Sequence, residues 1–490
     1  MKRVTNALDK MSCAKACGVC VLYAAAAIAL PAQTYTALHS FDGTDGASPR
    51  WSLVQGLDGN LYGTTVAGGG TTNPGTVFKI TPTGTVTTLH SFCAETNCTD
   101  GFSPASGVVL ATNGEFYGVT YSGGANCAPG GCGTIFSVTS SGTLTTIYSF
   151  CAEISCTDGN HPNAGLVQAS NGYLYGTTSY GGATNQGTVF KITPSGTLTT
   201  IHSFDGTDGL FPSGPLVQDT NGYLYGTTSQ GGAYCNVTGC GTVFRMTPSG
   251  TLTTLYSFNG TDGQNPVGAL VQATNGYLYG ATSGGGANSH GTIFKMTPSG
   301  TLTPMLYSFC SESGCTDGSL PDGGLVQAPE NEDLYGATFY GGTGCGSNGC
   351  GTIFKMTPSG TLTTVFRSYC PESGCPYYPG ALLQDTNGAF YGATFDGGTG
   401  SVGTAYSLSL GLGAFVKPLP TSGAVGSAVK ILGSNLTGAT SVTFDGIAAT
   451  FTVVSRYLIT TTVPTGATSG TVEVVTPSAA LSSNVAFTVP

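Results

Sequence analysis

The sequence predicts an all-β protein: a seven-bladed β-propeller closed by its own N-terminal strand, followed by a small C-terminal immunoglobulin-like β-sandwich. Composition is the first observation behind this. The 490 residues are only 8% charged, against about 25% in ordinary globular chains, and they include 78 glycines and 25 prolines. Apolar residues at 40% and aromatics at 10% argue against disorder, and the glycines lack the every-third spacing of collagen. Scarce Lys, Glu and Arg beside abundant Thr, Gly, Ser and Tyr favour short strands and tight turns over long helices. The second observation is a repeat of about 55 residues, the size of a propeller blade. The third is the register in which the chain enters and leaves that repeat.

In chain order, the N-terminus comes first. Lys2, Arg3, Lys10 and Lys15 precede an apolar stretch at 16–30, and Pro31-Ala32 precedes a cleavage point before Gln33, so residues 1–32 are expected to be an export signal. The stretch falls short of the roughly 20 residues of a membrane span, and none follows it, so the mature chain is expected to cross no membrane. The formal net charge is −10, and few cations remain downstream of the signal, which removes nucleic acid as a partner class.

Residues 33–412 hold the repeat. An L/F-Y-G segment places its tyrosine at Tyr62, Tyr117, Tyr175, Tyr225, Tyr279, Tyr335 and Tyr391. A G-T-(V/I/A)-(F/Y) segment begins at Gly75, Gly133, Gly187, Gly241, Gly291, Gly351 and Gly403. In residues 214–258 one unit resolves into four strands: G-P-L-V-Q (a), Y-L-Y-G-T-T (b), G-T-V-F-R-M-T (c) and T-L-T-T-L-Y-S-F (d). Asn-Gly in the a–b connection and T-P-S-G in the c–d connection are tight-turn signals. The chain enters on a spare d-type strand, residues 34–41, and leaves after a c-type strand, residues 403–409. Pairing the two closes a ring and removes an exposed strand edge.

Three of the 17 cysteines lie in the signal. The others form seven C-x4-C pairs: Cys93/Cys98, Cys127/Cys132, Cys151/Cys156, Cys235/Cys240, Cys310/Cys315, Cys345/Cys350 and Cys370/Cys375. An even count at fixed spacing in an exported chain predicts local disulfides. Zinc is the competing reading, but its usual spacings are tighter and no His accompanies these pairs in sequence. Residues 413–490 lack Cys and alternate Val, Ile, Phe and Thr between turn signals, as expected of a small sandwich.

Residues 174–204 resemble, nearly residue for residue, the repeat unit of the tandem GloVer-repeat proteins of exported bacterial type: L-Y-G-T-T-x-x-G-G, G-T-V-F-K-x-T-P-x-G and a closing S-F. The resemblance implies export and repeat architecture and carries no reaction or catalytic residues. The stretches V-K-I-L-G-S-N-L, V-T-F-D-G-I-A-A-T-F and the closing F-T-V resemble an IPT/TIG domain, which implies a spacer or accessory binding module.

Antiparallel alternation puts the b–c and d–a loops on one rim. Those loops are the long, variable, cysteine-bearing ones, and loops on a rigid scaffold carry binding residues. Six d–a loops contain T-D-G, giving Asp45, Asp100, Asp158, Asp208, Asp262 and Asp317 as candidate Ca²⁺ ligands; turn formation is the competing and favoured reading. Otherwise no cofactor is expected. The ends of strand b carry Tyr121, Tyr180, Phe339, Tyr340 and Phe395, which offer apolar faces for stacking on sugar rings; inter-blade packing is the competing reading. His39, His90 and His202 share a strand-d position with tyrosines and an arginine and read as structural, and His161 and His290 stand isolated. No nucleophile elbow or P-loop is present.

The functional expectation is an exported, non-enzymatic binding or adhesion protein, secreted or in the cell envelope. It would present disulfide-braced loops to a glycan or a surface protein. The alternatives are a polysaccharide hydrolase or lyase using loop carboxylates, and a structural envelope component.

Overall fold

The computed structural model describes residues 33–490 apart from 71–73, 128–129, 236–238, 304, 344–347 and 369–376. The expected export signal therefore lies outside the described residues. No helix among those described is long and apolar enough to cross a membrane.

Among the described residues the repeat region forms seven antiparallel sheets. The first runs Val54–Gln55, Leu61–Thr65, Thr76–Ile80, Val86–Ser91. The seventh takes the entering strand Thr34–Ser40 as its outer member, laid antiparallel on Thr404–Ser409 from Thr34↔Ser409 to Ser40↔Thr404. Local chemistry explains the recurrent segments. Each L/F-Y-G tyrosine is almost completely buried, and its hydroxyl meets the a–b turn, at Asn171 (2.8 Å) and Asn275 (2.9 Å) for example. The glycine after it lies under the strand-c phenylalanine: a Cβ on Gly176 would sit 2.6 Å from the Phe190 ring. The last Thr of strand b and the Thr of G-T bond to each other in the interior, as Thr228 and Thr242 do at 2.9 Å.

The innermost strand departs from the expected G-P-L-V-Q. It begins earlier, at an X-Pro dipeptide, and its ladder is irregular in the middle; in the fifth unit the strand Gln264–Gln272 runs through with a register shift between Val267 and Val271. In the fourth sheet Leu210–Pro212 and Val217–Gln218 pair separately with Leu224–Gln230. Pro212 itself pairs with Thr228, and the ladder lapses over residues 213–216 before resuming at Val217.

Each sheet packs on the next through one apolar cluster. Tyr62 and Val77 meet Phe116 and Phe136 between the first and second sheets, and the series continues through the sixth and seventh. A further cluster joins the seventh to the first, with Tyr391 and Ala405 against Leu53, Leu61 and Phe78. Truncating such a fully buried phenylalanine to Ala costs about 3–5 kcal/mol. Each junction also has a fixed backbone joint. The glycine of G-T has φ between 89° and 108°, and the proline of the following unit packs on it. A Cβ on Gly75 would lie 2.5 Å from Pro104 Cδ, and one on Gly403 would lie 2.6 Å from Pro49 Cδ.

The C-terminal residues form two four-stranded sheets. One holds Lys417–Leu419, Ala428–Leu432, Leu458–Thr462 and Phe451–Ser455; the other holds Ile447–Ala448, Ser441–Phe444, Val472–Val475 and Ala480–Ser482. Val429, Ile431, Val442, Phe444, Ile459, Val472 and Val474 share one core between them. This domain docks on the a–b turns of the first, second and seventh units. Leu419 and Leu432 join the Tyr62 cluster, Lys430 donates to the Thr112 carbonyl, and Ser434 meets Thr386 at 3.0 Å. Lys417 donates to the Gln384 carbonyl at 2.8 Å from a half-buried position, and desolvation lowers its pKa to about 8 against an opposing pull from Asp385.

Candidate functional site

The loop face has three layers. Carboxylate latches form the outermost one. All six T-D-G aspartates bond the His or Tyr of the strand-d position just upstream. Asp100 meets His90 at 2.9 Å, Asp158 meets Tyr148 at 2.9 Å, Asp208 meets His202 at 2.8 Å and Asp317 meets Tyr307 at 2.8 Å; Asp45 with His39 and Asp262 with Tyr256 complete the set. Each carboxylate also accepts loop N–H groups, as Asp100 does from Ala94 and Glu95. Burial works against the Asp100 charge, yet the His90 and backbone hydrogen bonds hold its carboxyl below the ordinary value. Tyr307 moves the other way: burial, reinforced by the Asp317 carboxylate, pushes its hydroxyl up to about 12. The one d–a loop without T-D-G follows Arg367, which instead donates to the Thr316 carbonyl of the preceding loop at 3.2 Å. The two positions therefore vary together, a signal present in the sequence that links loop to strand. None of the six aspartates belongs to a group of three or more ligand-type side chains among the described residues.

Disulfides form the second layer. Cys93–Cys98, Cys127–Cys132, Cys151–Cys156, Cys235–Cys240 and Cys310–Cys315 are bonded as the spacing predicts. Cys350 is also disulfide-bonded, and Cys345, Cys370 and Cys375 lie outside the described residues. The d–a pairs each close on a 3₁₀ turn, such as Ile154–Cys156. One expectation is corrected here. His290 is not isolated from the cysteines, because its ring comes within 4.8 Å of the Cys310 and Cys315 sulfurs. Nineteen intervening residues hid this, since the contact is made between two loops.

The third layer surrounds the inner strands. The residue before each unit's proline sits in the left-handed region, with φ between 52° and 57°: Ser48, Ser103, His161, Phe211, Asn265, Leu320 and Tyr378. This is unfavourable for non-glycine residues, and doubly so before proline. A hydrogen bond holds it at every junction. Each residue's N–H donates to the carbonyl just ahead of the previous unit's G-T, as His161 does to Cys132 (2.8 Å), Phe211 to Gln186 (3.2 Å) and Tyr378 to Cys350 (2.9 Å). Ser48 donates to Val402 at 2.7 Å in the same way, linking first unit to seventh. The backbone is constant and the side chain varies, a combination that marks a display position.

These side chains gather the aromatic candidates into two arcs. In one, Tyr121 lies 4.7 Å from the His161 ring, His161 lies 5.9 Å from Tyr180, and Tyr180 lies 5.0 Å from Phe211. In the other, Phe339 stacks on Tyr378 at 4.4 Å, Tyr340 meets Tyr378 edge-on at 5.4 Å, and Phe395 lies 6.2 Å from Phe339. The Arg50 guanidinium lies 4.8 Å over Trp51 and 5.7 Å over Phe395, and it donates to Asp322 two units away. Burial lowers the pKa of His161, so its ring is neutral among the tyrosines at pH 7. Burial also raises the Asp396 carboxyl beside the second arc. His161, Phe211, Tyr378, Arg50 and Trp51 escaped the sequence reading. Their signal was the seven-fold X-Pro with a variable X.

Strand-c cations reach the a–b turn, three of them over its aromatic rings. Lys295 lies 4.1 Å over Tyr277 and Arg245 lies 4.7 Å over Tyr223, while Lys355 pairs with Asp333 at 3.3 Å.

Comparison with known proteins adds the following. No curated protein matches the chain in sequence. Among solved structures, a gluconolactonase from Xanthomonas campestris is 14% identical over 56% of this chain and 78% of its own, with a TM-score of 0.36. The extracellular domain of a one-component system from Bacteroides thetaiotaomicron is 12% identical over 92% of this chain and 48% of its own, with a TM-score of 0.49. The Gloeobacter/Verrucomicrobia repeat matches residues 24–240 and 236–448, and the IPT/TIG domain matches residues 416–489. The recurrent tyrosines, glycines and threonines thus have a family to which the chain belongs, the Gloeobacter/Verrucomicrobia repeat proteins, here carrying an IPT/TIG domain at the C-terminal end.

Proposed function

We propose that this chain is an exported binding protein whose repeat region is a closed seven-bladed propeller, and that its loop face captures a glycan. The observation that carries the reading is the pair of aromatic arcs held on seven identical backbone joints. Tyrosine and phenylalanine rings offer stacking surfaces for sugar C–H faces, while Tyr180, 36% exposed, leaves a hydroxyl for the sugar's own hydroxyls. Carboxylates, disulfides and strained backbone hold these rings in place, so little ordering entropy is lost on binding. The C-terminal domain docks on the opposite, turn-bearing face and leaves the loops clear, as a stalk or second contact would. Local disulfides suit an oxidising, extracellular setting, with residues 1–32 as the removable signal.

A hydrolase would need two carboxylates facing each other across a cleft about 5–9.5 Å apart. Six loop aspartates are instead tied into latches, which favours binding over hydrolysis. The test is a glycan array probed with the mature protein, followed by Tyr180→Ala and Tyr340→Ala. Binding that falls at least tenfold in either variant supports the reading, and no binding to any glycan overturns it.

A further inference from the structure

We propose that the loop face of the second unit carries a redox-gated metal site: once reduced, Cys127, Cys132, Cys151 and Cys156 form a tetrathiolate pocket for Zn²⁺ or a similar soft divalent cation. The four sulfurs come from two loops, b–c and d–a, and all lie within 4.8 Å of one another. A tetrahedral zinc thiolate, with Zn–S of about 2.3 Å, has sulfur–sulfur edges of about 3.8 Å, so on reduction each formerly bonded pair opens to that edge while the sulfurs of the two loops, already within 4.8 Å, close onto it. In the oxidised chain the sulfurs are paired as Cys127–Cys132 and Cys151–Cys156.

Hydrogen bonds hold these loops alongside the disulfides and remain when the disulfides are reduced. The Cys132 carbonyl accepts from His161 at 2.8 Å, the Cys151 N–H donates to Gly159 at 3.2 Å and the Cys156 N–H donates to Glu153 at 3.0 Å. Asp158 ties Ala152 and Glu153 to strand d through Tyr148. Reduction therefore leaves four thiols facing each other. Cys127 is exposed, which gives a reductant access to its sulfur. Each disulfide takes up two electrons and two protons from a dithiol, which becomes its own disulfide. The cation then displaces the four thiol protons and leaves a complex of net charge −2. Cys93 and Cys98, in the equivalent d–a loop of the first unit, belong to no such group among the described residues, because the facing position there is Pro74. That loop is the internal control.

The experiment titrates the full mature chain with Co²⁺ after phosphine reduction, reading the thiolate-to-cobalt charge-transfer and tetrahedral visible bands. Because the chain holds other cysteine pairs, the difference between variants is read. The reduced wild type is expected to bind one equivalent more than Cys132→Ser, and Zn²⁺ should displace it with loss of colour. Cys93→Ser should retain the wild-type count. Equal counts in wild type and Cys132→Ser, or equal counts in oxidised and reduced wild type, overturn the proposal. If Cys132→Ser fails to fold by circular dichroism, Cys127→Ser, altered at an exposed position, decides: a lost equivalent supports the site and a retained one overturns it.

Discussion

On the turn face of the repeat region, each turn is closed by its own bonds within five residues of chain, and neighbouring turns are linked by single bonds such as the Thr112 N–H to Gln168 Oε1 at 2.8 Å. The T-P-S-G turns close through Thr193 onto Ser195 at 2.9 Å and onto the Thr197 N–H at 3.0 Å, and nearly the same set recurs at Thr247 and Thr357. On the loop face, the latches and disulfides are local, but each inner-strand joint is held by the neighbouring unit. His161 hangs from Cys132, Pro212 packs on Gly187, and Arg50 reaches Asp322. The turn face is locally redundant and serves as a platform on which the C-terminal domain docks. The loop face is cooperative and displays its variable side chains from a shared, strained frame. What this teaches is that the same repeat separates stability from diversity by face, because only non-local joints can hold a costly backbone conformation while leaving its side chain free to vary.

The sharpest way to break this contrast is Gly241→Val. The new Cβ would sit 2.3 Å from the Thr228 carbonyl and 2.5 Å from Pro266 at a φ of +94°. Urea denaturation should show a loss of about 3 kcal/mol or more. Next in size is the turn-face dock at Lys417. Its folded pKa of about 8 lies below the ordinary lysine value of 10.5, so the unfolded chain holds the proton to higher pH. Stability should therefore rise between pH 8 and 10.5, by up to about 3 kcal/mol, and Lys417→Met should abolish that rise in a pH series of melts.

Asp100→Asn on the loop face should cost about 2 kcal/mol by removing a charged acceptor from His90 and two backbone N–H groups. The Asp100 pKa is lowered, so its contribution is present above the ordinary carboxylate value and is lost as pH falls through the lower folded one. The variant's acid limb should accordingly be flatter. Gly222→Ala on the turn face, with its nearest neighbour 3.9 Å away, should cost only the left-handed penalty, about 1 kcal/mol. A loss as large as that of Gly241→Val would refute the contrast. Tyr180→Ala should change stability by less than about 0.5 kcal/mol while weakening ligand capture. A large loss of stability would instead make Tyr180 a packing residue.

Much of this was legible from residues alone. Strands b and c follow from short runs rich in β-branched and aromatic residues between turn signals, and the entering strand Thr34–Ser40 lies on Thr404–Ser409 where the register argument placed it. The five described C-x4-C pairs are bonded as their spacing predicts. The latch was half legible: the T-D-G aspartates and the strand-d histidines and tyrosines were each visible, but their pairing was not. The break in the innermost strand was missed because G-P-L-V-Q reads as one run, while the ladder lapses over residues 213–216 between Pro212 and Val217.

By itself, the sequence determined the all-β class, the repeat, the turns and the local disulfides, because each depends on residues within about a dozen positions whose φ preference, side-chain period or loop closure is intrinsic to the chain. Only the tertiary structure decided which loops meet. The gathering of Tyr121, His161, Tyr180 and Phe211, the clustering of Cys127 and Cys132 with Cys151 and Cys156, and the contact of Lys417 with Gln384 all join separate turns. Such contacts depend on sheet twist and on how one sheet stacks against the next, and these are set by the summed packing of whole apolar faces.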